Sequence, residues 1–134
     1  GHVDRLLLGG HIGQALRLLS RNRSAVGPLL MAVRRQPEER QGWIALGWCL
    51  KRIGQVERAA VVLAKAIMNL PDDAVLHYNL ACYLALLNQT DLAISELVWA
   101  LELNPKLRGR LAKERDFDAI RDNDSFQNLV CQPR

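Results

Sequence analysis

Between residues 40 and 107 the apolar residues fall at helical spacing in successive segments, and the segments are broken at Gly54 and at Asn88. Gly and Asn take the left-handed backbone conformation that ends a helix more readily than other residues. The pattern recurs at a fixed period. Pro37, Pro71 and Pro105 stand 34 residues apart. Each is preceded at the same distances by two alanines: Ala25 and Ala32, Ala59 and Ala66, Ala93 and Ala100. Superposing residues 40–73 on 74–107 aligns Leu46 with Leu80, Gly47 with Ala81, Leu50 with Leu84, and Leu63 with Leu97.

A unit of this length accommodates two antiparallel helices of about a dozen residues each and two short turns. Gly47, Ala59, Ala81 and Ala93 then stand where helix backbones approach closely, because a larger side chain would push the pair apart. The closing prolines end the second helix of one unit or start the next. Upstream the pattern is less regular. Ala25, Ala32 and Pro37 fit a second helix whose partner is 11–20, shortened by Gly9 and Gly10. Gly27 and Pro28 fall inside that second helix and predict a late start or a kink. A different register stays open, with Gly10, Ala15 and Leu19 in the second helix of a truncated earlier unit. After Pro105, residues 106–115 predict an amphipathic helix, followed by a tail whose Phe117, Ile120, Phe126 and Leu129 pack inward while its acids face water. The tail acts as a cap, since a stacked array exposes an apolar end face unless something covers it.

Trp43, Leu46, Gly47 and Leu50, then Ala59 and Leu63, then Ala66 and Pro71 together resemble the tetratricopeptide repeat signature. Tyr78, Asn79, Leu80 and Ala81 are similar to the usual start of that repeat's first helix. His77 departs from it at the first aromatic position, Leu50 and Leu84 replace Tyr, and Leu63 and Leu97 replace Phe. The stretch from Asp116 to Arg121, with Phe126 after it, resembles tails that close bacterial repeat arrays. The resemblance implies an all-α fold, a right-handed superhelix of about three antiparallel helix pairs plus capping helices. It forms a single domain, with an irregular first repeat over 6–39, repeats over 40–73 and 74–107, and a cap and tail over 108–134.

The same resemblance implies that the chain holds another protein or a peptide in a concave groove lined by the first helices. The matching groove residues are Gln41, Ile44, Trp48, Lys51 and Arg52, then Tyr78, Asn79 and Cys82, with Lys113 extending the groove. In this family an Asn at the place of Asn79 contacts peptide backbone, since an amide both donates and accepts; facing water as part of the repeat consensus is the alternative. Trp48 either stacks on a ligand or packs against Leu16 or Tyr78. The family's clamp for a terminal carboxylate matches poorly, because Ile44, Trp48 and Gly109 stand where polar or basic members belong. A mixed apolar and basic groove fits better. Trp99 is expected on the outer face, as a self-association surface giving a homo-oligomer or tucked under the tail.

Composition and charge narrow the remaining classes. Half the residues are hydrophobic and aromatics are scarce, and abundant Ala and Leu favour packed helices over sheets. No apolar run approaches the roughly 20 residues needed to span a bilayer. Gly1 and His2 look like the scar of a cleaved tag, so a fragment of a longer protein is expected. Cys49, Cys82 and Cys131 are odd in number and widely spaced, which suggests neither a disulfide framework nor a metal knuckle. A reducing, cytoplasmic setting is the plain expectation. The net charge of +4 is uneven: residues 1–58 hold ten basic groups against four acids, so they carry +6 and the remainder −2. That asymmetry suits an acidic partner; a solvated basic face is a plainer reading than nucleic-acid binding.

Catalysis needs a nucleophile, a base and an orienting group within mutual reach. His11 and His77 have no such company at any motif spacing, and His77 reads as a packed histidine in an aromatic's place. Asp72 with Asp73 and Glu38 with Glu39 follow prolines, where they favour the next helix through its dipole. No phosphate loop, metal-ligand spacing or nucleophile elbow is recognisable. The expectation is a binding module, with no enzymatic activity, cofactor or metal.

Overall fold

The computed structural model describes the backbone of residues 2–132 and the side chains of residues 14–132. Gly1, the side chains of His2 and His11, and residues 133–134, on which some expectations fell, lie outside it. Among the described residues the protein is all-helical, with no strand. The main helices are α1 (His2–Arg35), α2 (Arg40–Arg52), α3 (Val56–Asn69), α4 (Ala74–Leu86) and α5 (Thr90–Leu103). Beyond them come a 3-10 turn (Pro105–Leu107), α6 (Arg108–Leu111), a 3-10 segment (Arg115–Ile120) and α7 (Asp124–Cys131). Each of α1 to α5 packs on the next in sequence, and α2 also reaches α4. Among the described residues no helix is long and apolar enough to cross a membrane.

The boundaries of α2 to α5 follow from local chemistry repeated at the sequence period. Gly54 has φ +84° and Asn88 φ +59°, the positive values expected of them. Around each, two backbone bonds close the helix: Gly54 N–H to Lys51 and Gln55 N–H to Leu50 after α2, Asn88 N–H to Ala85 and Gln89 N–H to Leu84 after α4. This is the Schellman arrangement, which satisfies carbonyls that the helix end would otherwise leave free. At the other end, Trp43 Nε1 donates to the Pro37 carbonyl at 2.7 Å. Thirty-four residues on, His77 Nε2 meets the Pro71 carbonyl at the same 2.7 Å. The imidazole thus replaces the indole N–H bond for bond. Its Nδ1 lies 2.6 Å from Glu96 Oε2, so His77 is a packed, fully engaged histidine.

The core between these helices is built from the aligned positions. Leu46, Leu50, Leu63, Leu97, Ala59, Ala66, Ala81, Ala93 and Ala100 are fully buried. Gly47 is the tightest point, since a Cβ there would lie 2.3 Å from Leu63 Cδ2 and 3.3 Å from the Tyr83 ring. Asp73 caps α4, accepting from the amides of Val75 at 3.0 Å and Leu76 at 3.3 Å. The same carboxylate receives the Arg40 guanidinium from the start of α2, so one side chain ties together the openings of both helices. Burial alone would raise the Asp73 pKa, but the Arg40 bond and charge and the two amides outweigh it and hold it below the usual carboxylate range.

Two parts differ from the sequence expectations. In place of a helix pair over the first unit, α1 runs unbroken through Gly27 and Pro28. Both residues are on its exposed side, and nothing lies within 4 Å of a Cβ built at Gly27. The missing proline donor therefore falls where water serves the freed carbonyl, and the helix continues. Val26, Leu29, Leu30 and Val33 form its stripe against the core, whereas Leu16, Leu18 and Leu19 stay exposed. The helix expected over 106–115 is shorter too, ending at Leu111. The chain turns there so that the 3-10 segment folds back on α4.

That return closes the end of the stack. Phe117 and Phe126 are fully buried, Ile120 is buried and Leu129 half-buried, as the tail pattern implied. Phe117 meets Tyr78 edge-on at 5.6 Å and Phe126 at 5.4 Å. Arg121 fastens the turn by donating to the carbonyls of Leu111 and Ala112, each at 3.2 Å, and of Glu114 at 2.7 Å. Asp118, Asp122 and Asp124 face water, but Asp116 does not. It turns inward to Lys51 at 2.8 Å.

Two consequences are measurable. Gly47→Val drives a branched side chain into Leu63 and Tyr83, and is expected to cost about 1–3 kcal/mol, read as a lower urea midpoint at unchanged slope. Asp73→Ala removes the α4 cap at about 1 kcal/mol. Because the folded-state pKa of Asp73 lies below its unfolded value, its contribution is complete above the unfolded pKa and is lost as pH falls through the folded one. Urea titrations at pH 7 and pH 3 check this: the gap between wild type and variant narrows at the lower pH.

Candidate partner-binding face

Gln41, Ile44, Trp48 and Lys51 follow one another at three- and four-residue steps, and Arg52 stands four residues after Trp48, so α2 presents them on one side. Gln41 and Arg52 are exposed, and Ile44 is half-buried. Trp48 is 50 % exposed despite its size. Lys51 Nζ and the Arg52 guanidinium both lie 5.3 Å from the centre of its ring. Cations at this range are attracted to the negative face of an indole. The group is therefore an aromatic surface flanked by two cations, of which Lys51 is also paired with Asp116, and Trp48 is not packed away as a core residue.

The α4 residues divide differently. Asn79 is half-buried, while Tyr78 is 2 % exposed and Cys82 4 %. Both were expected to line an open groove, and the returning 3-10 segment covers them instead. The reason is geometric: after Leu111 the chain turns back across α4, so the 3-10 segment lies on the face that carries Tyr78 and Cys82. Burial chiefly pushes the Tyr78 hydroxyl and the Cys82 thiol far above their ordinary ranges, and the neighbouring Glu114 and Asp116 add to it. Lys113 is exposed in the turn after α6. The structure thus joins Trp48, Lys51 and Arg52 as one patch and links Lys51 through Asp116 to the cap, while Gln41, Asn79 and Lys113 make none of these contacts.

Asp116 and Glu114 are the residues that sequence reasoning missed. Lys51 and Asp116 are 65 residues apart, and no spacing rule connects them. Asp116 was assigned to water as one acid of an acidic tail, and only the direction of the chain after Leu111 turns it inward.

Trp99, the expected outer-face residue, is 53 % exposed. Its ring is stacked on His77 at 5.6 Å and 14° rather than under the tail. Comparison with known proteins supplies no relative: no protein-family model and no curated protein matches the chain.

The three thiols differ in reach. Cys131 is exposed, whereas Cys49 and Cys82 are buried; Cys49 donates weakly to Asn22 Oδ1 at 3.6 Å, and burial raises its pKa. A disulfide reagent is therefore expected to label Cys131 first and the other two about tenfold or more slowly. Cys131→Ser removes the fast phase, and denaturation exposes the remaining thiols together.

Proposed function

We propose that this chain is a tetratricopeptide-like repeat module that holds an extended peptide or partner segment along α2 and the open part of α4. The observation that carries the reading is Trp48, half-exposed with Lys51 and Arg52 set over its ring. A large aromatic left partly in water at a helix face is the kind of residue that dominates interfaces. The exposed Arg52 beside it favours an acidic or carboxylate-bearing segment, while Lys51 is engaged by Asp116. Asn79 stands at the edge of this face, able to donate and accept toward a peptide backbone. The module performs no reaction in this reading, and His77, with both ring nitrogens engaged, has a packing role.

A second reading is favoured by a separate patch. Ile94, Val98 and Trp99 of α5 line one surface hollow, Trp99 is 53 % exposed, and Leu92 and Met68 are exposed as well. Such a surface suits self-association. Light scattering decides it: Trp99→Glu abolishes a dimer if one forms, and a strict monomer at high concentration eliminates the reading.

For the main reading, partners are captured with the immobilised chain and the strongest is reduced to its binding segment. Trp48→Ala and Asn79→Ala are each expected to weaken that segment's affinity by about tenfold, equivalent to ~1.4 kcal/mol. Unchanged affinity in both variants removes the assignment.

A further inference from the structure

Beneath the cap, beside the face just described, the fold assembles a cluster that no spacing in the sequence announces. Cys82 Sγ, a carboxylate oxygen of Glu114 and one of Asp116 all lie within 4.8 Å of one another. Cys82 is buried on α4, and the two acids are half-buried in the segment folded over it. Tyr78 lies one helical turn before Cys82, on the same face. It is 2 % exposed, and its hydroxyl has no hydrogen-bond partner. Cys82, Glu114, Arg110 and Asp116 are the titratable groups whose charges bear on that hydroxyl. A buried, unpartnered hydroxyl costs about 1–3 kcal/mol, and native proteins retain few of them without a reason.

We propose that Cys82, Glu114 and Asp116 form a binding site for a divalent transition-metal ion, zinc above all, and that the unpartnered Tyr78 hydroxyl turns to the ion when it binds. The donor set decides the class of ion. One thiolate with two carboxylates suits a borderline cation. Magnesium and calcium call for oxygen throughout, and copper(I) for more sulfur. Zinc–sulfur bonds of about 2.3 Å and zinc–oxygen bonds of about 2.0–2.2 Å require the donor atoms to draw together pairwise by no more than about 1.4 Å. Glu114 lies in the turn after α6 and Asp116 at the start of the 3-10 segment Arg115–Ile120, and rotation of these side chains supplies that movement.

The electrostatics agree. Two carboxylates and a thiol are gathered with Lys51 as the cation bonded to Asp116, at 2.8 Å. Burial and the two acids keep the Cys82 thiol protonated. Binding therefore forms a metal–sulfur bond, breaks the S–H bond and releases its proton to solvent, while Lys51 gives up its share of Asp116. The bound ion pins the cap to α4. The inference does not rest on peptide binding at Trp48, and the two readings fail separately.

Cobalt(II) is the probe, because a thiolate–cobalt bond produces an ultraviolet charge-transfer band and zinc displaces it. Titration of the reduced, metal-free chain is expected to give the band at one equivalent, with zinc raising the melting temperature by several degrees. The band persists in the Cys49→Ser/Cys131→Ser double variant and disappears in Cys82→Ser. Glu114→Gln, at a half-exposed position that the fold tolerates, weakens cobalt affinity at least about tenfold, and Tyr78→Phe weakens it severalfold. The proposal is overturned by the absence of a stoichiometric band, by a band that survives Cys82→Ser, or by affinity unaffected by both Glu114→Gln and Tyr78→Phe.

Discussion

Where α2 passes α3 and α4, its backbone comes so near that only a hydrogen fits on Gly47, with Leu63 and Tyr83 against it. The packing of α2 on α3 and α4 is arranged around this approach. Because α2 lies so close, Leu46 and Leu50 reach the interior completely, and Ala59 and Ala66 of α3 are sealed from water. Ala81, the aligned position on α4, is also fully buried, one methyl larger at the end of the stack. Small residues here do not contribute much apolar area themselves. Their effect is to let the larger neighbours interdigitate at crystal-like density.

Polar groups then set the register that packing alone leaves loose. The ring N–H of Trp43 and that of His77 each meet a proline carbonyl six residues earlier, so the aromatic position is locked to the turn before its helix. Asp73 serves two helices at once through the α4 amides and Arg40. These bonds are directional where the hydrophobic contacts are not. They determine which side of α2 faces outward, and therefore that Trp48, Lys51 and Arg52 meet at the surface.

The cap determines the rest of the surface. By laying Phe117 on Tyr78, it converts part of an open helix face into an interior and brings two acids over a buried thiol. Lys51 stands at the boundary, over the Trp48 ring on one side and bonded to Asp116 on the other. The exposed aromatic patch and the acid–thiol cluster thus share one lysine while differing in chemistry, the first an indole with cations at its ring and the second a thiol with two carboxylates.

Local information sufficed for much of this. Helix ends at Gly54 and Asn88, the small residues at the close approach, and the inward side chains Phe117, Ile120 and Phe126 follow from periodicity and from what Gly, Asn and Pro allow a backbone to do. These are short-range properties, carried by residues within a turn or two of one another. The unbroken course of α1 through Pro28, the burial of Tyr78 and Cys82, and the pairing of Lys51 with Asp116 depend on which surface each segment finds to pack against. That surface comes from chain many residues away, so only the tertiary structure decides whether a residue on an apparent binding face meets a partner, water or the protein's own tail.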